Sequence, residues 1–203
     1  MEIFFLGRLR PFLTSWFVFG TARNASGPAA YAPGMADRPI LAVDVDGVIS
    51  LFGFEQPPDR SVARFELIDG MVHCVSIAAG ERLRRLAELY DLVWATGWED
   101  RANDHLPALL GIPELPVVRF GGAAKFGTAH WKVAPLEEYG RGRALAWIDD
   151  SLDESCFDWA RARESSGLPT LLVPTESALG LEEAHAEALA AWARDLAGQA
   201  DPR

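Results

Sequence analysis

Two aspartates stand two residues apart at the end of an apolar run, in Ile40-Leu-Ala-Val-Asp44-Val-Asp46-Gly47. A β-branched run of this length reads as a buried, parallel strand. A carboxylate without a partner is costly to bury. Asp44 therefore belongs at the carboxyl end of the strand, where open α/β sheets place their ligands. Asp46 can face the same crevice, and Gly47 lets the chain turn away without a Cβ clash. Two carboxylates so placed suit phosphoryl transfer: one attacks phosphorus, the other moves a proton, and a hard cation such as magnesium shields the charge between them. The competing reading is that the pair only ends a strand and opens a turn, since a motif this short is weak alone.

Three further stretches carry polar groups with a compatible purpose. Thr96-Gly97 supplies a hydroxyl and exposed backbone N–H groups, which suit phosphate oxygens. Lys132 opens a predicted helix, where an ammonium and a helix N-terminus both favour an anion. Asp149-Asp150 is a second carboxylate pair suited to magnesium. Each has a plainer alternative: a strand residue, a solvated lysine, and a helix cap. Lys125, in the glycine-rich stretch 121–128, competes with Lys132, which is preferred because it begins a helix leading into the fourth strand. The glycine-rich stretch is not read as a nucleotide phosphate loop, since it lacks the Gly-Lys-Ser/Thr ending. Trp98 and Trp131 flank Thr96 and Lys132 and either line a substrate mouth or pack as core or rim. His73, His105, His130 and His185 are scattered without ligand spacing, so no zinc site is expected.

Alternating strands and helices must position these groups. Strands are expected at 40–45, 92–96, 116–120, 144–148 and 169–173. Helices are expected at 79–90, 99–110, 130–139, 152–164 and 181–196. This alternation implies right-handed βαβ units and a Rossmann-like α/β three-layer sandwich around a mainly parallel, five-stranded sheet. Between the Asp pair and the second strand, Val62–Ile68 and Met71–Ile77 flank Asp69-Gly70, a strong hairpin signal. That hairpin either overhangs the site as a flap or is an ordinary sheet edge.

Taken together, Asp44-Val-Asp46-Gly-Val, Thr96-Gly97, Lys132 and Asp149-Asp150 resemble motifs I to IV of the haloacid dehalogenase-like (HAD) hydrolases. They occur in the family's order and after the matching strands, across about residues 38–197. The resemblance implies that Asp44 is a nucleophile forming an aspartyl-phosphate and that Asp46 is general acid, then base. It implies that Thr96, Gly97 and Lys132 hold the phosphoryl group. Magnesium would be held by Asp44, the backbone carbonyl of Asp46, and Asp149 or Asp150. An aspartate two residues after the nucleophile marks the family's phosphatases, and dehalogenases lack it. No segment is long enough for a large cap domain, so the hairpin at 62–77 would be the only lid. A non-catalytic binding module on the same fold and a polynucleotide-end phosphatase are the alternatives.

Composition sets the remaining bounds. The chain has 203 residues, 49% hydrophobic and 24% charged, enough for one domain with a sizeable core. Its net charge is -10, and residues 1–34 hold Arg8, Arg10 and Arg23 against Glu2, so residues 35–203 carry -12. An acidic body disfavours nucleic acid and leaves a small or medium phosphorylated substrate as the expected partner. The densest basic cluster, Arg82, Arg84 and Arg85, reads as a solvated helix face. Two cysteines, Cys74 and Cys156, fit a reducing cytoplasm and burial as small apolar residues. Residues 1–37 read as an N-terminal extension, disordered or preceding the true start near Met35, with residues 38–198 as the hydrolase domain. The extension is too interrupted for a membrane span. Its basic residues, short apolar core and Gly20-Thr-Ala22 leave a secretory signal peptide as the alternative.

Overall fold

The computed structural model describes residues 38–121 and 127–200. The expected N-terminal extension and Lys125 lie outside them.

The central sheet is built from β1 (Ile40–Val43), β5 (Asp91–Trp94), β6 (Leu145–Asp149) and β7 (Thr170–Pro174). All pairs are parallel, in the spatial order β5-β1-β6-β7. The five-stranded sheet expected from sequence thus has four laddered strands. Residues 116–120 join its edge only through one bridge, Val117 to Trp94. Pro116 lacks the N–H a ladder needs, and its carbonyl accepts from the Trp94 amide instead.

β1 is buried on both faces, and its alternation feeds two cores. Leu41 and Val43 pack with residues of α1 (Ile77–Leu86), α2 (Arg101–Leu110) and α5 (Glu183–Ala200), among them Leu83, Leu106 and Leu189. Ile40 and Ala42 pack with residues of α3 (Val133–Tyr139) and α4 (Glu154–Ser165), among them Leu136 and Cys156. The result is the three-layer sandwich. Local chemistry sets the helix ends. The Ser76 hydroxyl accepts from the Ala79 amide to open α1. Gly111, at φ 65°, closes α2 in the left-handed conformation.

A second sheet of three antiparallel strands holds β2 (Ser50–Leu51), β4 (Met71–Ser76) and β3 (Ala63–Ile68), in the order β2-β4-β3. Asp69 and Gly70 have φ of 50° and 82°, so both central residues of the hairpin turn are left-handed, as a two-residue type I′ turn requires. Ile68 and Val75 on one face join the main core. Phe65, Leu67 and Val72 on the other are exposed.

Arg82, Arg84 and Arg85 are each engaged within the chain. Arg82 and Arg85 meet Glu183 at 3.2 and 2.7 Å. Arg84 donates to the Leu110 carbonyl, where α1 and α2 approach closely. Both cysteines are free and buried. Among the described residues, no helix is long and apolar enough to cross a membrane.

Candidate active site

The chain runs from β1 to β5 on one side and later to β6 on the other. The crevice at their carboxyl ends is a topological switch point, the usual place for a ligand in such sheets. Asp44 follows β1, Thr96 lies just beyond β5, and Asp149 is the last residue of β6. The Asp44 amide donates to the Ile148 carbonyl at 3.1 Å, which extends the ladder up to the carboxylate.

Lys132 ties two of these strands together. Its Nζ lies 2.8 Å from Asp44 Oδ2 and 2.7 Å from Asp149 Oδ2, with all three side chains buried. It sits at the end of a short 3-10 turn (Ala129–Lys132) that leads into α3, so the expected helix at 130–139 has an irregular first turn. Pro135, at the third position of α3, lacks an N–H that a first turn leaves unpaired anyway. Trp131 packs edge-on against Phe120, with its ring 5.5 Å from the Lys132 ammonium.

Carboxylate oxygens of Asp44, Asp149 and Asp150 come within 4.8 Å of one another. Three carboxylates gather around one ammonium, with Asp44, Asp149 and Lys132 buried and Asp150 partly buried. That donor set fits a divalent hard cation such as magnesium. The neighbouring Ser151 and the distant Ser177 orient the acids. Asp149 Oδ1 accepts from the Ser151 amide at 2.9 Å, and Asp150 accepts from the Ser151 and Ser177 hydroxyls at 2.9 and 2.7 Å. Gly47, at φ 69°, lies against Asp150, and the Thr175 hydroxyl donates to the Gly47 carbonyl at 2.9 Å.

The electrostatics follow from this crowding. Burial pushes the Asp44 carboxyl up from its ordinary value; Lys132 opposes the shift and Asp149 adds to it. Burial alone would lower the Lys132 ammonium, but Asp44 and Asp149 outweigh it and hold the group charged. Asp46 is exposed as a residue, yet its carboxyl is raised too. Loss of water around it is the main cause, opposed by the Trp98 hydrogen bond and by His73.

Asp46 does not join the carboxylate cluster. Its Oδ2 accepts from Trp98 Nε1 at 3.0 Å at the mouth of the crevice. Trp98 meets His73 of β4 edge-on at 4.8 Å, and His73 Nδ1 lies 2.9 Å from the Ser50 hydroxyl. The hairpin therefore reaches the site through His73 and Trp98. Its tip is tied to α2 by Asp69, which lies 3.2 Å from Arg101 and 3.4 Å from His105. Thr96 is fully buried and accepts from the Trp98 amide at 3.3 Å, while Gly97 is exposed beside it.

Of the residues expected from sequence, Asp44, Lys132, Asp149 and Asp150 converge in one cluster. Asp46, Thr96 and Gly97 stand beside it around Trp98. Sequence reasoning missed His73, Thr175 and Ser177, and it saw Trp98 only as a candidate for the mouth. No local pattern marks His73, and the hydroxyls shortly after the last strand are the one signal for Thr175 and Ser177.

The fold is a Rossmann-like α/β sandwich with an acidic crevice at the carboxyl ends of its parallel strands. No family model and no curated protein matches the chain. Among solved structures it is similar to the HAD domain of effector protein Lem4 from Legionella pneumophila, at TM-score 0.47 and 13% identity over 82% of this chain and 97% of that one. It is also similar to an inactive mutant of the same domain, at TM-score 0.46 and 12% identity over 81% and 95%.

Proposed function

We propose that the protein is a magnesium-dependent phosphomonoester hydrolase that works through an aspartyl-phosphate on Asp44. The observation that carries this reading is the Asp44 carboxylate, buried at a strand end, held 2.8 Å from Lys132 and clustered with Asp149 and Asp150.

In this reading Asp44 forms a bond to phosphorus as the bond from phosphorus to the leaving oxygen breaks. Asp46 gives that oxygen its proton, helped by the raised affinity of its carboxyl for protons. Asp46 then takes a proton from the water that attacks the aspartyl-phosphate and restores Asp44. Lys132, the Thr96 hydroxyl and the Gly97 amide neutralise and hold the phosphoryl oxygens. Magnesium would be held by Asp44, the Asp46 carbonyl and Asp149 or Asp150, and would supply charge neutralisation at phosphorus.

The preferred substrates are small or medium phosphomonoesters in the cytoplasm. The net -12 of residues 35–203 supports this against polynucleotide ends, as does the engagement of Arg82, Arg84 and Arg85 within the fold. The test is turnover of p-nitrophenyl phosphate with magnesium and with EDTA, followed by a screen of phosphometabolites and phosphopeptides. Magnesium-dependent turnover lost in Asp44→Asn supports the reading. No turnover of any phosphomonoester would leave a binding module on the same fold.

A further inference from the structure

We propose that the outer edge of the β3–β4 hairpin is an interface between two copies of this chain, paired antiparallel through β3 about a two-fold axis at Phe65. This surface lies outside the catalytic crevice and does not depend on the reaction assigned to it.

β3 is the last strand of the β2-β4-β3 sheet, so one of its edges faces no strand of that sheet. The two-residue turn closes on the pair Ile68 and Met71, and the register runs back through Glu66–His73 and Arg64–Val75. In a hairpin of this kind the even-numbered residues of β3 bond to β4, and the odd ones turn their N–H and C=O groups outward. The Ala63 amide is taken by the Asp59 carbonyl. Among the described residues, no backbone group bonds to the outward groups of Phe65 and Leu67. Exposed edges of this sort are normally shortened, charged on both faces or covered. Here the exposed face carries Phe65, Leu67 and Val72, which are 54%, 73% and 69% exposed.

The order of charges selects the occupant. Arg64 and Glu66 flank Phe65, both on the opposite face of the strand, and both remain partly open to solvent at 44% and 32%. Set two copies of β3 antiparallel with Phe65 opposite Phe65. Arg64 of each copy then faces Glu66 of the other, and Leu67 faces Ala63. Opposite charges directly across an antiparallel pair stabilise it, and like charges destabilise it. The two Phe65 residues exchange N–H···O=C bonds, and the Leu67 amide reaches the Ala63 carbonyl. An isologous contact must be self-complementary, and this strand is so in charge and in backbone. The edge is also close to neutral within an acidic chain: residues 61–77 carry Arg64, Glu66 and Asp69, net -1. Local charge therefore adds little repulsion where the copies would meet.

The test is sedimentation velocity of the full-length chain over a concentration series, on wild type, Glu66→Arg, Arg64→Glu, and an equimolar mixture of the two variants. Reversing Glu66 leaves two positive charges on the strand, and reversing Arg64 leaves two negative ones. Wild type should show a concentration-dependent dimer, and each variant alone should dimerise at least about tenfold more weakly. The mixture should form a heterodimer, because Arg then meets Glu at every cross-strand position. Recovery in the mixture separates this pairing from a folding defect or from loss of the Arg64–Glu66 ion pair within one chain. Circular dichroism on each variant checks the fold. A monomeric wild type at the highest concentration would overturn the proposal. So would a dimer unchanged in both variants, or a mixture in which both stay monomeric.

Discussion

Gly47 has no room for a side chain because Asp150 occupies the space: a Cβ there would lie 2.1 Å from Asp150 Oδ2. The glycine three residues past Asp44 therefore does two jobs. It adopts φ 69°, and it lets a carboxylate from the far side of β1 reach the crevice.

Gly47→Ala should push Asp150 out of the cluster and strain the turn. We expect a fall in Tm of about 5 °C. We also expect at least about a tenfold rise in the magnesium concentration that gives half-maximal turnover. Thermal melts and a magnesium titration check both. An unchanged titration would show that Asp150 does not serve the metal.

Asp44→Asn should lower turnover by at least about 10^3-fold while the fold remains, since Lys132 keeps Asp149 as a partner 2.7 Å away. Activity within a few-fold of wild type would remove Asp44 from the chemistry.

Asp46→Asn should slow turnover by about 10^2- to 10^4-fold and let an aspartyl-phosphate accumulate, because the attacking water loses its base. Rapid acid quench with a labelled phosphomonoester reads this out. If neither this variant nor wild type yields a phosphoenzyme, the covalent route is wrong.

Trp98→Phe keeps a ring against His73 and removes only the donor to Asp46 Oδ2. We expect kcat to fall by about tenfold with KM little changed, the size of one hydrogen bond to a charged group. A change confined to KM would mean that Trp98 contacts substrate instead of holding Asp46.

The metal-free protein should lose stability as pH rises. Burial raises the Asp44 carboxyl above its ordinary 3.8, so the folded chain holds this proton after the unfolded chain has released it. Its contribution is intact below pH 3.8 and declines as pH rises from there toward the raised value. Asp46 is shifted in the same direction. Melting temperatures in EDTA, from about pH 4 to pH 8, should therefore fall more steeply for wild type than for Asp44→Asn. Parallel slopes would rule out Asp44 as the source.

Features set by neighbouring residues were legible in the sequence. Asp69-Gly70 could be read as a tight turn because a type I′ turn needs two residues at positive φ, and both are. Gly111 was legible as a stop for the same reason. The apolar run before Asp44 announced a strand buried on both sides, which in turn placed Asp44 at its end. Pro116–Phe120 looked like a strand by composition, yet it forms a single bridge, because ladder pairing depends on what lies across the edge.

The sequence alone determined the class of fold and the kinds of groups offered to the crevice. Only the tertiary structure decided which of them meet. Trp98 and Asp46 are 52 positions apart, and Thr175 and Gly47 are 128 apart. Arg82, Arg84 and Arg85 form a basic cluster along the chain, but Glu183 and the Leu110 carbonyl claim them. Backbone preference acts over a few residues, through steric limits on φ and ψ. Contacts at these separations are set by the order in which strands line up and by which side chains then fill the space between them.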